Sequence, residues 1–332
     1  MSKRWQAGRA VANPVVAVTR PALPGRALEQ LRKEARVRVW PDAKRPDHPE
    51  IVALVREVDA IVCQSSDRID ADLIAASSRL VAVSTVSVGF DHIDLAALDA
   101  LGIIATNTPG VLTESTADLT WALILAVARR LVEADRIVHD HEWVGDGYDL
   151  VPGIDVNGGT LGIIGFGSVG QAVARRAVGF GMHVIHHSRS GRPNELSTPV
   201  TLAELLREAD VVSVNVALNA ETRGLIGEGE LRLMKPTAIL VNTSRGAVID
   251  QSALARALME EWIYGAGLDV TAVEPLPADD PLLELRNCVI LPHVGSATVA
   301  TRSRMAELAV RNVLDALAGR LPAHVLNPQP PE

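Results

Sequence analysis

Thr160 to Arg189 reads TLGIIGFGSVGQAVARRAVGFGMHVIHHSR, and no other stretch limits the fold of this chain so strongly. Leu161 to Ile164 is an apolar run of strand length. Gly165, Gly167 and Gly170 follow in G-x-G-x-x-G spacing, with Ser168 and Val169 inside the pattern. Gln171 to Val178 then reads as a helix and Met182 to His186 as a second strand. A glycine-rich turn alone says little, because such turns are common. Strand, turn, helix and strand within about thirty residues form the context in which the spacing means dinucleotide binding. Gly165 makes the tight turn, Gly167 lets the backbone approach a pyrophosphate, and Gly170 lets helix and strand pack closely. The helix start offers N–H groups to the phosphates.

The rest of the chain repeats the same alternation. Strand-like runs at Val15–Thr19, Val37–Trp40, Ala60–Cys63, Leu80–Thr85 and Ile103–Thr106 are separated by helical patterns at Gly25–Ala35, Ile51–Val58 and Asp70–Ala76. This predicts an α/β unit with a parallel sheet covered on both faces. From Gly110 to Asp140 the pattern turns helical, with capping-box spacing at Ser115 to Asp118. Its apolar and small residues predict burial between domains or subunits. Glu142 to Asn157 reads as a loop. After the glycine unit, strands are expected at Val211–Val214, Ala238–Asn242, Ala266–Leu268 and Val289–Leu291, with helices at Leu202–Arg207 and Gln251–Glu260. The last helix, Ala300–Ala318, stops at Gly319, and the tail from Pro322 is expected to be extended. The overall class is α/β, with two doubly wound parallel-sheet domains.

A length of 332 residues accommodates two domains. With 48% apolar and 22% charged residues, the chain has the balance of an ordinary globular protein. Its formal net charge of −8 argues against nucleic acid as the main partner. Cys63 and Cys288 are the only cysteines and each lies in an apolar run, which predicts buried free thiols and neither a disulfide nor a metal site. No apolar run is long enough to span a bilayer, so no membrane partner is expected. Residues 1–13 carry Lys3, Arg4 and Arg9 without an apolar h-region behind them, which predicts a disordered tail, with an organelle-targeting segment as the alternative, and a cytoplasmic location.

Three short stretches fall just after expected strands, where a doubly wound sheet presents ligand groups. They are Asn242-Thr243-Ser244-Arg245-Gly246, Asp269 to Pro275, and Pro292-His293-Val294-Gly295-Ser296. Each brings a group suited to reducing a keto acid. Arg245 can hold a carboxylate in a bidentate fork. His293 can give a proton to a developing alkoxide near neutral pH. Glu274 can orient the imidazole and, as a nearby negative charge, raise its pKa. Taken singly, these are a surface charge, a turn histidine and a turn glutamate. Downstream of a dinucleotide fingerprint they read as one site.

Cofactor choice is also legible. An NAD-preferring unit places an acid at the end of the second strand for the ribose 2′-hydroxyl. Here the strand ends His186-His187-Ser188-Arg189-Ser190, and the next acid is Glu195. Ser188, Arg189, Ser190 and Arg192 suit a 2′-phosphate, so NADP(H) is expected over NAD(H), with NAD(H) possible.

The chain resembles the D-2-hydroxyacid dehydrogenases, and within them the glyoxylate/hydroxypyruvate reductases. The likeness runs from about Val15 to Gly319 and is carried by VSTVSVGFDHIDL (Val83–Leu95), NTPGVLTESTADLTWALILAVARR (Asn107–Arg130), GFGSVGQAVARRAVGFGMHV (Gly165–Val184), MKPTAILVNTSRGAVID (Met234–Asp250), AGLDVTAVEPLP (Ala266–Pro277) and LPHVGSAT (Leu291–Thr298). The resemblance implies that Arg245, Glu274 and His293 are catalytic. It implies that Ser87-Val88-Gly89 offers N–H groups to a substrate carboxylate and that Asp269 holds the nicotinamide carboxamide. Thr243, Ser244, Arg245, His293 and Gly295 would line the cofactor cleft. It further implies a discontinuous substrate-binding domain, 1–107 with 295–332, and a dinucleotide-binding domain, 108–294, with a cleft between them. A homodimer would form through the helix starting near Thr113. The sequence departs from relatives at Asn215 and Ala217, often His and Pro, at Ser168, often Arg, and at Asp146 and Tyr148, where a second tryptophan after Trp143 is missing. The alternatives on this scaffold are 2-ketogluconate, phosphoglycerate and phosphite dehydrogenase-type enzymes. Outside enzymes, the alternative is a dinucleotide-regulated co-repressor that binds peptides.

Overall fold

The computed structural model describes residues 4–145 and 150–327. Two compact units are present, Met1–Leu112 with Ala297–Glu332, and Thr113–Ser296. The chain passes from one unit to the other a few residues later than positions 107 and 295. Asp146 and Tyr148 lie outside the described residues.

The first unit is a five-stranded sheet in the order β2-β1-β3-β4-β5, parallel throughout. In chain order its elements are β1 (Val15–Val18), α1 (Ala27–Glu34), β2 (Arg36–Val39), α2 (His48–Leu54), β3 (Ala60–Cys63), α3 (Ala71–Ala75), β4 (Ala82–Thr85), α4 (Leu95–Ala100) and β5 (Ile104–Thr106). Side chains of successive strand residues point to opposite faces, and the core divides accordingly. Val16, Val18, Ala60, Val62 and Ala82 pack under α1 and the last helix of the chain. Ala17, Ile61, Cys63 and Val83 pack under α2, α3 and α4. Two-sided burial is why these strands read as continuous apolar runs.

The second unit starts with α5 (Thr113–Ala128) and α6 (Leu131–His139). It continues with β6 (Thr160–Ile164), α7 (Ser168–Ala177), β7 (His183–His187), β8 (Thr198–Pro199), α8 (Leu202–Glu208), β9 (Val211–Val214), α9 (Glu228–Leu231), β10 (Ile239–Asn242), α10 (Gln251–Met259), β11 (Gly265–Leu268) and β12 (Cys288–Ile290). Its seven strands run in the order β12-β11-β10-β9-β6-β7-β8, all parallel. From β6 the chain builds outward to β8, then returns to the other side of β6 and builds outward again. The reversal between β6 and β9 is a topological switch point, the usual place for a ligand on such sheets. The chain then re-enters the first unit with α11 (Val299–Leu317), which ends at Gly319 in a left-handed conformation, φ 72°.

Several expectations need correction. α5 begins at Thr113, so Ser115 and Asp118 lie inside the helix and form no capping box at its start; Asp118 instead pairs with Arg176 of α7 at 2.6 Å. The apolar face of α5 is buried within its own unit, against α7 and strands β10 to β12, so its composition by itself requires no second subunit. α5 and α6 are separated by Arg130 in a left-handed conformation, φ 50°, a break the helical pattern did not show. The expected disorder of residues 1–13 does not extend over the described part. Trp5 is 7% exposed and donates its indole N–H to the Ala316 carbonyl, and Val11 N–H pairs with Leu317. The described part of the tail after Pro322 is tied to β5. Val325 bridges Thr106, and the Asn327 side chain bonds the backbone of Ile103 and Ala105. Both cysteines are free thiols; Cys63 is buried and Cys288 only half-buried.

Candidate active site

The glycine turn meets the steric demands read from its sequence. Gly165 has φ +94°, and a Cβ there would come within 2.7 Å of the Asn215 carbonyl group. A Cβ on Gly170 would collide with the Gly165 carbonyl oxygen. Gly167, by contrast, stands at the start of α7 with open space where its side chain would be. Two glycines thus let the backbone close on itself and the third leaves an approach open. Ser168, Val169 and Gly170 form the first turn of α7, where N–H groups lack acceptors within the helix. These features fit a pyrophosphate.

Ser188 to Ser190 follow β7 directly, beside this turn, since Gly165 N–H donates to the His187 carbonyl at 2.8 Å. Ser188 is half-buried, its hydroxyl 3.4 Å from that of Ser190, while Arg189, Ser190 and Arg192 are exposed. His186 is buried and stacks on Phe166 of the glycine turn, ring centroids 4.1 Å apart.

The ends of β10, β11 and β12 gather the other candidates at the same edge of the sheet. Asn242 is fully buried and folds the turn after β10 around itself. Its Oδ1 accepts from the N–H and hydroxyl of Ser244, and its Nδ2 donates to the Arg245 carbonyl at 2.9 Å. Thr243 shares a 2.9 Å hydroxyl–hydroxyl hydrogen bond with Thr120 of α5. Gly246 packs against the Thr271 carbonyl where no Cβ would fit. The Arg245 turn and the Glu274 loop are therefore held together.

Asp269, 1% exposed, organises the turn after β12. Its carboxylate accepts from Val294 N–H and Gly295 N–H, both at 2.7 Å, and its carbonyl accepts from His293 N–H at 2.9 Å. Held at both ends, His293 adopts φ +55°, a conformation few side chains take up unaided. From there Nδ1 of His293 donates to Oε2 of Glu274 at 2.8 Å, with both side chains a little over one-third exposed. Pairing Nδ1–H with a carboxylate leaves Nε2 to face a substrate. Gln251 of α10 supports the loop from behind, accepting from Ala272 N–H at 2.8 Å and donating to Asp280 at 2.6 Å.

Charge is tuned in opposite directions at the two acids. Burial opposes ionisation of Glu274, but the hydrogen bond and charge of His293, the Thr271 N–H and the charge of Arg245 together hold its carboxyl below the usual range. At Asp269 burial prevails over its two backbone N–H partners and pushes the carboxyl up. Burial also raises both thiols, Cys288 to about 12, so neither is a thiolate near neutral pH.

In the first unit, Ser87 to Gly89 follow β4. The Ser87 hydroxyl lies 2.8 Å from that of Thr85 and donates to the Gly89 carbonyl at 2.7 Å. Asn107 Nδ2 donates to the Val88 carbonyl at 2.7 Å and fixes the turn from below. The structure thus brings Thr243, Ser244, Arg245, Asp269, Glu274, His293 and Gly295 together on one sheet edge with the glycine turn. Ser87, Val88 and Gly89 belong to the other unit.

The residues that hold these turns were missed. Asn107, Thr120 and Asn242 lie inside motif stretches quoted from the sequence and Gln251 directly follows one, but the motifs themselves do not assign them a holding role. Only Asn242, an Asx residue at a strand end two positions before a serine, carried a local signal. A cleft of about 660 Å³ opens at the opposite, amino edge of β10 to β12, lined by residues such as Arg130, Glu133, Tyr264 and Asn287. It contains none of the candidate residues, and open α/β sheets bind ligands at the carboxyl edge. Among the described residues, no group of three or more His, Cys, Asp and Glu side chains is placed to hold a metal ion. Nor is any helix among them long and apolar enough to cross a membrane.

A sheet of this topology, with a phosphate-approachable turn at its switch point and an Arg, Glu and His cluster a few strands away, defines a dinucleotide-dependent oxidoreductase. Comparison with known proteins narrows the class. Residues 121–295 match the family described as D-isomer specific 2-hydroxyacid dehydrogenase, NAD binding domain. A glyoxylate reductase of Korarchaeum cryptofilum is 47% identical over 319 residues, covering 95% of this chain and 96% of the relative. The crystal structure of the TT0316 protein of Thermus thermophilus is 47% identical with a TM-score of 0.89, covering 94% and 99% of the two chains. An NADPH-dependent glyoxylate/hydroxypyruvate reductase of Sinorhizobium meliloti, solved with NADP and malonate, is 31% identical with a TM-score of 0.87 over 97% and 99%. The chain belongs to the D-isomer-specific 2-hydroxyacid dehydrogenases, which are NAD(P)-dependent oxidoreductases.

Proposed function

We propose that the chain reduces small 2-keto acids, glyoxylate and hydroxypyruvate first, to 2-hydroxy acids, with NADPH preferred over NADH. The observation that carries this reading is the 2.8 Å contact of His293 with Glu274 on the edge that also bears Arg245 and the glycine turn. When bound, the dinucleotide supplies the hydride that the keto carbon receives. Its pyrophosphate would lie on Ser168, Val169 and Gly170, its 2′-phosphate on Ser188, Arg189 and Ser190, and its nicotinamide end near Thr243, Ser244, Asp269 and Gly295.

His293, protonated and aligned through Nδ1, gives its Nε2 proton to the keto oxygen as that oxygen gains charge. Glu274 keeps the imidazole in one orientation and offsets its positive charge before transfer. Arg245 holds the substrate carboxylate in a two-point fork. Hydride on carbon and proton on oxygen complete the hydroxy acid.

The catalytic species is proposed to be a cytoplasmic homodimer. Support for the dimer comes from α6, where Leu131, Val132 and Val138 are exposed apolar side chains close together in the chain. The test is steady-state oxidation of NADPH and of NADH by purified protein, against glyoxylate, hydroxypyruvate, pyruvate and 2-ketogluconate. Turnover fastest with NADPH and the smallest keto acids supports the proposal. Preference for NADH refutes the reading of Ser188 and Arg189, and activity on 2-ketogluconate alone refutes the substrate.

A further inference from the structure

Asn215 stands directly after β9, at the switch point of the seven-stranded sheet. Its backbone N–H donates to the Ile164 carbonyl at 2.7 Å, and its own carbonyl abuts Gly165. The residue therefore flanks the turn that presents N–H groups to a pyrophosphate.

Its amide orientation is fixed by its neighbours. Nδ2 lies 3.2 Å from the Ser213 carbonyl oxygen and 2.9 Å from the Ser213 hydroxyl. A carbonyl oxygen can only accept, so the NH₂ group must face it. Oδ1 then faces away, is buried, and has no hydrogen-bond partner among the described residues. Buried acceptors are almost always paired, and an unpaired one calls for an explanation.

We propose that Asn215 Oδ1 accepts a hydrogen bond from a ribose hydroxyl of the bound dinucleotide; the inference rests on the dinucleotide-dependent reading above. The acceptor needs a donor. A dinucleotide offers donors only at its ribose hydroxyls, the adenine amino group and the nicotinamide carboxamide. The amino group and carboxamide lie at its two ends. The riboses are bonded directly to the pyrophosphate, and neighbouring strands are about 4.8 Å apart, so a donor that reaches one strand over from the phosphate turn is a ribose hydroxyl. Fully buried Ser213 holds the amide so that the acceptor is preset. Asn215 is thus a positioning residue for the cofactor.

The alternative is that Asn215 only braces the end of β9. Equilibrium binding separates the two, using NADPH and analogues that each lack one ribose hydroxyl, on wild type and Asn215→Ala of matched melting temperature. Loss of one hydrogen bond predicts that Asn215→Ala weakens NADPH binding about 3- to 10-fold. One analogue should bind wild type more weakly by a similar factor and bind the variant no worse than NADPH does. If the variant weakens all ligands alike and every hydroxyl keeps its effect, Asn215 is a brace and the proposal is overturned. Unchanged NADPH binding overturns it too. Should Asn215→Ala fail to fold, the wild-type series still decides, because equal binding of all analogues contradicts the proposal. Wild type that binds no dinucleotide would overturn the functional reading as well, whereas normal binding with an indifferent Asn215 overturns this inference alone.

Discussion

The turn after β6 and the turn after β12 close parallel strands at the same edge of one sheet, yet they are held in opposite ways. The first is shaped by missing side chains. Gly165 and Gly170 let carbonyls approach where no Cβ fits, and Gly167 leaves the start of α7 open. The second is shaped by a buried charge. Asp269 ties Val294 and Gly295 and keeps His293 at φ +55°. On the proposed reading, one turn receives a ligand and the other aims a side chain.

This contrast yields graded expectations. The largest effect should come from Asp269→Ala, which leaves the buried Gly295 N–H and the part-buried Val294 N–H without acceptors. A loss of about 3 kcal/mol is expected, reduced by relief of the buried charge, and denaturant unfolding would show it. Turnover should fall with it because His293 loses its conformation. If stability were unchanged, the turn would be self-supporting and the contrast would fail. Next is Gly170→Val, where a collision with Gly165 should cost about 1–3 kcal/mol and weaken NADPH binding by about tenfold or more, read by calorimetry. Ser188→Asp should leave stability alone and shift the NADPH-to-NADH preference about tenfold toward NADH, by repelling a 2′-phosphate.

The smallest effect concerns pH. The Glu274 carboxyl is held below its usual 4.5, chiefly because interactions with His293 outweigh the opposing effect of burial. A depressed carboxyl adds stability that is fully present above the unfolded value and is lost as pH falls through the lower folded value. The melting-temperature difference between wild type and Glu274→Gln should therefore shrink as pH falls below 4.5. A difference that grows on acidification would contradict the pairing.

The same contrast explains what could be read from the sequence. A turn made by glycines declares itself at the positions that make it, and the strands around it are apolar on both faces. The alternation of strands and helices, the parallel sheets and the fingerprint were accordingly legible, whereas the order of the strands within each sheet was not. The Arg245, Glu274 and His293 stretches were legible too, as short motifs after strands. What holds them was not. Asp269 acts on residues 25 and 26 positions away, Thr120 meets Thr243 across 123 positions, and no local pattern records such pairs. The apolar composition of α5 was legible but ambiguous, because burial under a sheet of its own unit and burial in a dimer ask for the same residues. The anchoring of Trp5 beside Ala316 was hidden for the reason of distance again.

The most direct test of the central claim, that one turn binds and the other does the chemistry, is His293→Ala assayed for both kcat and NADPH affinity. The account predicts a fall in kcat of about 10²–10⁴-fold with NADPH affinity unchanged within about twofold. Equal loss of both in a folded protein, or a kcat that survives, would contradict it.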